Sequence, residues 1–96
     1  MPVVFGLEFD DANADKITAH GLSERLVSQV LDNPHIIVRN RRRRRGLYLL
    51  IGVDHGGGCI AIPIEPTRQP GIWRPVTAWQ CKDSERALLL ERGRRL

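Results

Sequence analysis

Residues 47–64, LYLLIGVDHGGGCIAIPI, predict a β-hairpin. Two apolar runs rich in branched residues flank the turn sequence DHGGG, a pattern typical of paired antiparallel strands. Ile60, Ile62 and Ile64 alternate along the second run, so we expect them to share the core face of the sheet. Pro63 has no backbone N–H, and we therefore expect a sheet edge or a bulge at this position.

Other short runs add strands before and after the hairpin. Residues 35–39 (HIIVR) and 73–81 (WRPVTAWQC) are rich in β-branched and aromatic residues, which favour strands. Residues 3–9 predict a further short strand at the start of the chain. Pro75 has the same implication as Pro63, an edge or a bulge.

Two helices are predicted between the first two strands. Asp10 or Asp11 would cap a helix over residues 12–20, and Gly21 would end it in the left-handed conformation. Ser23 would cap the second helix, which the following Asn-Pro pair ends. The apolar residues of this second segment recur at helical spacing, as Leu22, Leu26, Val27, Val30 and Leu31.

A third helix is predicted near the end of the chain. It would begin at Lys82 or Asp83 and end at Gly93. Its inward residues would be Ala87, Leu88 and Leu90. The element order is then β-α-α-β-β-β-β-α, an α+β fold in which helices pack on a mostly antiparallel sheet. With 96 residues, the chain has room for a single domain over residues 1–96.

The chain is basic, and arginine carries most of the charge. There are 15 Lys and Arg residues against 11 Asp and Glu, a net charge of +4. Thirteen of the 15 are arginine, and six of these lie within residues 39–45. Arginine matches phosphate groups, so this balance indicates an anionic partner. No apolar run is long enough to span a membrane and no secretory signal is evident, so we expect a cytoplasmic protein.

Cys59 and Cys81 are the only cysteines. Two cysteines cannot form a disulfide framework, and they lack partners for a closed zinc site. We expect both to be free thiols in the core or in strands. We expect no metal and no organic cofactor.

Short motifs in the first half of the chain resemble one known family. HGLS at residues 20–23, followed by DNP at residues 32–34, is similar to the N-terminal pattern of the BrnT toxins. LEFD at residues 7–10 resembles the acidic-aromatic strand end of that family, with Phe9 where tryptophan is usual. Ala19 stands where the family has lysine before His-Gly.

The second half continues the resemblance in the same order. Tyr48 and Gly52 match a Tyr-x-x-x-Gly strand, and Arg74 matches a basic position in a later strand. Residues 77–86 resemble a Ser-Ala-Arg-x-Ala-x-x-x-Glu-Arg segment, with Trp79 in place of arginine. The resemblance implies a fold of the RelE superfamily and a metal-independent endoribonuclease toxin of a type II toxin–antitoxin pair. It also implies a cognate antitoxin protein as partner.

Such a ribonuclease needs a base near the ribose 2′-oxygen and cations at the phosphate. The candidate catalytic residues are His20, Arg74, Glu85 and Arg86. His20 lies at a helix end and could instead only cap that helix, while Arg74 could be a solvated strand residue. Glu85 could be an ion-pairing residue of the helix surface, and Arg86 could face the sheet as a second cation.

The candidate RNA-binding residues are those of the arginine run and a basic-aromatic group near the next loop. They are Arg39, Arg41, Arg42, Arg43, Arg44, Arg45, Arg68 and Trp79, with Trp73 close by in the sequence. The arginines would neutralise phosphates and the indoles would stack on unpaired bases. The run could equally be a solvated loop or a docking surface for an acidic antitoxin segment, and either tryptophan could belong to the core.

Two alternatives to the nuclease stay open. A non-catalytic RNA- or antitoxin-binding protein would keep the fold without turnover, in line with the missing cations at Ala19 and Trp79. A DNA-binding protein ranks last, because the second helix has Arg25 as its only basic residue. An exposed strand edge would also permit a homodimer by strand addition.

Overall fold

The computed structural model describes residues 2–41 and 46–93, which form three α-helices and a six-stranded sheet. The strands are β1 Gly6–Leu7, β2 His35–Arg39, β3 Tyr48–Val53, β4 Cys59–Pro66, β5 Ile72–Pro75 and β6 Trp79–Gln80. The helices are α1 Asp11–Ala19, α2 Glu24–Gln29 with a 3-10 turn at Val30–Asp32, and α3 Asp83–Gly93. The predicted α+β class is confirmed. The strand expected over residues 73–81 is instead two short strands, β5 and β6.

The sheet is mixed, with the order β1-β5-β4-β3-β2 and with β6 paired to β4. Only the β1–β5 pair is parallel; the other described pairs are antiparallel. The hairpin expected over residues 47–64 is present as β3 and β4, joined by the glycine turn. No helix of the described residues is long and apolar enough to cross a membrane.

Pro63 lies in the central strand β4, so the sheet edge, one of the two expectations for this position, is wrong. The other, a bulge, agrees with the register, because residues 76–78 lie opposite only Ile62 and Pro63. One side of β4 pairs continuously with β3, where Leu49 faces Pro63. The other side is divided between β6, at Ile60 and Ala61, and β5, from Ile64 onwards. Pro63 falls in the gap between them, and its carbonyl accepts from Val76 N at 2.8 Å. In an antiparallel strand the N–H and the C=O of one residue point to the same side. An N–H at position 63 would therefore point into this gap, and its absence from proline costs no hydrogen bond between strands.

Both faces of the sheet are covered. Ile60, Ile62 and Ile64 share one face, as predicted, and are at most 1% exposed. They pack with buried residues of α1, the α1–α2 loop, α2 and the 3-10 turn, which are Ile17, Leu22, Val27 and Val30 respectively. The opposite face carries a second cluster of Ile36, Ile51, Cys59, Ala61 and Cys81, against which Leu88 and Leu89 of α3 pack.

The predicted caps of the first two helices are confirmed. Asp10 accepts a hydrogen bond from Asn13 N, while the Asn13 side chain accepts from Asp10 N, which is a reciprocal capping box. Ser23 accepts from Leu26 N, and Gly21 has the expected positive φ of 77°. Asn13 is fully buried, and its amide also donates to the carbonyls of Glu8 and Pro75. This one side chain thus fixes the start of α1 against the ends of β1 and β5.

The inward face of α3 differs from the prediction. Leu88 is half-buried as expected, but Ala87 is exposed and Leu90 is 59% exposed. Glu85 and Leu89 turn toward the sheet instead. The buried Glu85 sets the phase of the helix, because residues three and four positions further on lie on the same face.

Cys59 and Cys81 form a disulfide, so the expectation of free thiols is wrong. The bond joins the start of β4 to the residue after β6, across a Cα–Cα distance of 5.3 Å. Cys81 N also donates to the Cys59 carbonyl at 3.0 Å. The sequence separation of 22 residues gave no signal of this contact, which arises only because β6 folds back onto β4.

Reduction of this disulfide is expected to lower the free energy of unfolding by about 3 kcal/mol, because it releases the constraint on an unfolded loop of this length. Urea unfolding of the oxidised and the dithiothreitol-reduced protein measures the difference. Equal midpoints for the two forms would show that the bond contributes nothing. In a reducing environment the two cysteines are instead expected to be thiols.

Candidate nucleic-acid interface

A cleft of about 1080 Å³ extends from the face of the sheet that carries α3 to the end of α1, where Lys16 and His20 line it. Val38, Leu49 and Pro63 are cross-strand partners in a single row over β2, β3 and β4, and all three line the cleft. Leu88 of α3 and the chain from Val76 to Lys82 contribute further to its walls. The sheet therefore supplies a rigid apolar floor, and polar residues surround it.

The residues around the floor are mainly basic. Among the described residues, five with cationic side chains line the cleft, namely Lys16, Arg39, Arg41, Lys82 and Arg92, against one carboxylate, that of Glu85. None of the five takes part in an ion pair with another residue of the described ranges; both ion pairs found there involve Arg74. Cations that are not neutralised by nearby carboxylates attract phosphate groups and raise their local concentration.

The predicted arginine run contributes only in part to what can be described. Arg39 is the cross-strand partner of Tyr48, and its guanidinium carbon lies 5.9 Å from the Tyr48 ring centroid. Arg39 thus lines the cleft, but its guanidinium lies on the Tyr48 face of the sheet, opposite to Val38, and its charge is directed away from the cleft floor. Arg41 is exposed and lines the cleft. Residues 42–45, which hold the predicted Arg42, Arg43, Arg44 and Arg45, lie outside the described part of the chain.

His20 is the one imidazole that lines the described cleft. Its Nδ1 lies 2.9 Å from the carbonyl oxygen of Lys16 and 3.4 Å from Thr77 Oγ1. A carbonyl only accepts, so the neutral ring carries its proton on Nδ1 and keeps a lone pair on Nε2. The two interpretations of His20 are thus compatible: the ring bonds to the end of α1, and Nε2, which bonds to no described residue, could act as a base.

Trp79, Glu85 and Lys82 form a connected group at another part of the cleft. The Trp79 indole N–H donates to both Glu85 oxygens, at 3.0 Å to Oε1 and 3.2 Å to Oε2. Glu85 Oε1 also accepts a hydrogen bond from Lys82 N at 2.8 Å. Glu85 is the third residue of α3, and this bond to the residue before the helix caps its N-terminus. The Lys82 ammonium lies 5.9 Å from the Trp79 ring centroid. Glu85 is only 8% exposed, so the surface ion-pairing role considered for it is wrong.

Arg74 does not line the cleft, whereas His20 does. Its Nε is 2.6 Å from one oxygen of Asp10, its Nη2 is 3.0 Å from the other, and its Nη1 is 3.1 Å from Glu65 Oε1. Two carboxylates thus surround the guanidinium, and Arg74 is no solvated strand arginine. The structure therefore does not bring Arg74 together with the imidazole.

The other predicted residues are distributed around the molecule. Arg86 and Arg68 are exposed, and neither lines the cleft. Trp73 packs with the α1–α2 core, where its ring meets Tyr48 edge to face at 5.6 Å and its N–H donates to the Val3 carbonyl. Trp79 packs with the other core cluster. The predicted group of Arg68, Trp73 and Trp79 does not form, because the two tryptophans lie on separate strands, β5 and β6, and pack into the core clusters on opposite faces of the sheet.

Neither a search of known protein families nor a search of curated proteins found a match for this chain. The likeness to the BrnT toxins rests on the sequence motifs alone.

Sequence reasoning did not select three of the cleft cations, Lys16, Lys82 and Arg92. Lys16 had a usable signal, because it lies four residues before His20 on α1 and so shares a helix face with it. The other two enter the cleft only through the placement of α3 on the sheet. The described residues contain no group of three or more His, Cys, Asp or Glu that would hold a metal ion.

The Asp10–Arg74 contact predicts a pH dependence of stability. Hydrogen bonding from Arg74, and then from the Asn13 backbone, lowers the pKa of Asp10 below its ordinary 3.8. A carboxylate whose pKa is lowered by folding stabilises the protein at pH values above its ordinary pKa. This stabilisation is lost as the pH falls through the lowered pKa of the folded state. Asp10→Asn keeps the helix cap but loses the charge. We expect it to be less stable than the native chain at pH 7, with the difference closing below pH 4.

Urea unfolding of both proteins at pH 7 and pH 3 measures this difference. Asp11→Asn is the matched control, since Asp11 lies in the same helical turn and makes no ion pair with a described residue. A stability difference for Asp10→Asn that is equal at both pH values would contradict the assignment.

Proposed function

We propose that this chain is an RNA-cleaving toxin similar to the BrnT toxins of the RelE superfamily, and that the cleft is its RNA site. One observation carries the proposal: a single cleft holds an imidazole with an open Nε2, an indole and cations without ion-pair partners among the described residues. We place the function in the cytoplasm, with a cognate antitoxin protein that masks the cleft.

The binding chemistry favours single-stranded RNA. Lys16, Arg41, Lys82 and Arg92 would neutralise successive phosphates, which makes binding dependent on salt. The half-buried Trp79 ring would stack on a base, and only an unpaired base can leave its neighbours to do so. The apolar floor of Val38, Leu49 and Pro63 suits the faces of bases rather than phosphates.

The cleavage chemistry uses the open nitrogen of His20. Nε2 would take the proton of a ribose 2′-hydroxyl, and the 2′-oxygen would attack the adjacent phosphorus. A bond from the 2′-oxygen to phosphorus forms as the bond to the 5′-oxygen breaks. The leaving 5′-oxygen takes up a proton, from the imidazolium or from water. The products are a 2′,3′-cyclic phosphate and a 5′-hydroxyl, and the nearby cations would stabilise the charge on the phosphoryl oxygens.

A second candidate is a non-catalytic protein that binds RNA or an antitoxin in the same cleft. Arg74, the expected phosphate ligand, is held by Asp10 and Glu65, and Arg86 lies outside the cleft. The cleft would then bind RNA without the cations that the resemblance assigns to catalysis.

The test is incubation of the purified chain with single-stranded RNA at low salt in the presence of EDTA. The nuclease proposal predicts fragments that end in 2′,3′-cyclic phosphate. Binding without fragments would support the second candidate instead. A result with neither binding nor cleavage would reject the nuclease and the RNA-binding form of the second candidate.

A further inference from the structure

The only carboxylate that lines the described cleft belongs to Glu85. A carboxylate repels phosphate, so its presence among cations calls for a ligand that offers hydrogen-bond donors. The fold alone accounts for part of its position, since Glu85 orients the Trp79 ring and caps α3. Its remaining acceptor capacity is not used by the described residues.

The two oxygens of Glu85 are unequally occupied. Oε1 accepts from Lys82 N at 2.8 Å and from the Trp79 indole at 3.0 Å. Oε2 accepts only from the same indole N–H, at 3.2 Å, which it shares with Oε1. Because a carboxylate oxygen has two acceptor positions, Oε2 can accept from a further donor. That oxygen adjoins the edge of the ring on which a base would stack.

We propose that Glu85 selects the base stacked on Trp79, favouring bases with an exocyclic amino group over uracil. This inference rests on the proposed function of the cleft. Cytosine offers its N4 amino group to an acceptor, whereas uracil has a carbonyl oxygen at the same position, which a carboxylate repels. The two indole hydrogen bonds fix the orientation of the stacking surface. The Lys82 ammonium lies over this ring, 5.9 Å from its centroid, so an incoming base would take its place there and leave the cation for the adjoining phosphate.

The test compares two DNA oligomers, an eight-residue deoxycytidine and an eight-residue deoxyuridine, which lack the 2′-hydroxyl and so cannot be cleaved by this route. Their bases are nearly equal in size, so the comparison isolates the amino group from stacking. Fluorescence anisotropy should show about tenfold tighter binding of the deoxycytidine oligomer to the native chain. Equal affinities would overturn the selection by Glu85 while leaving the RNA site intact. Binding of neither oligomer, nor of RNA, would instead reject the proposed function.

Glu85→Gln gives a sharper result in the same assay. The glutamine Oε1 can accept from both Trp79 and Lys82, which leaves an amide N–H₂ donor where Oε2 stood. We expect the preference to reverse toward the deoxyuridine oligomer, whose O4 accepts. If the role of Glu85 were purely structural, the variant would bind both oligomers more weakly by the same factor. An unchanged ratio of the two affinities would therefore contradict the proposal. If the variant fails to fold by circular dichroism, the ratio measured with the native chain decides.

Discussion

His20→Asn is expected to slow RNA cleavage by roughly 100- to 10,000-fold, the usual loss when a positioned proton-transfer group is removed. Asparagine is chosen because its amide N–H₂ can replace Nδ1 as the donor to the Lys16 carbonyl, 2.9 Å away. The variant thus keeps the contact at the end of α1 and removes only the group that would act as base. Single-turnover cleavage of a labelled RNA under saturating protein measures the chemical step.

RNA affinity should change by less than about threefold in this variant, since the Lys and Arg side chains that would bind phosphate are unchanged. The matched control is His55→Asn, because His55 lies on the turn between β3 and β4 and does not line the cleft. It should cleave at the native rate. Cleavage by His20→Asn at a rate close to the native one would show that the imidazole is not the base.

The parts of the fold that could be predicted are those specified by neighbouring residues. The hairpin at residues 47–64 follows from two apolar runs around a glycine turn, and the buried face of Ile60, Ile62 and Ile64 follows from strand alternation. The cap at Ser23 and the positive φ of Gly21 follow from local preferences as well.

The errors arise where distant segments meet. Pro63 is tolerated in the central strand only because β5 and β6 leave a gap beside it, and no local pattern marks that gap. The Cys59–Cys81 bond depends on the same return of the chain onto β4. The phase of α3 was misjudged because Glu85 is buried by its bonds to Trp79 and Lys82, against the usual preference of glutamate for the surface.

The candidate site could be predicted only in part. His20, Arg41, Trp79 and Glu85 were selected from the sequence and do line one cleft. Arg74 was selected for phosphate binding, but its pairing with Asp10 spans 64 residues of sequence and could not be read from the strand. Lys82 and Arg92 reach the cleft through the packing of α3 on β2 and β3.

The second large effect concerns the cations of the cleft. The triple variant Lys16→Gln, Lys82→Gln and Arg92→Gln removes three of them, and none forms an ion pair with a described residue that would be lost with it. Each phosphate contact to a single strand contributes about 0.7 to the slope of log affinity against log salt. The slope should therefore fall by about 2, and affinity at 50 mM salt by roughly 100- to 1000-fold.

The most direct test of the central claim is this comparison, made against a triple variant with the same change in net charge at Arg25, Arg68 and Arg86. Those three arginines are exposed and lie outside the cleft. Binding of a single-stranded RNA over a series of salt concentrations should lose slope and affinity in the cleft variant, with the surface variant close to the native chain. Equal losses of affinity and of salt slope in the two variants would mean that RNA binding depends only on the net charge of the protein. That result would contradict the assignment of the cleft as the RNA site.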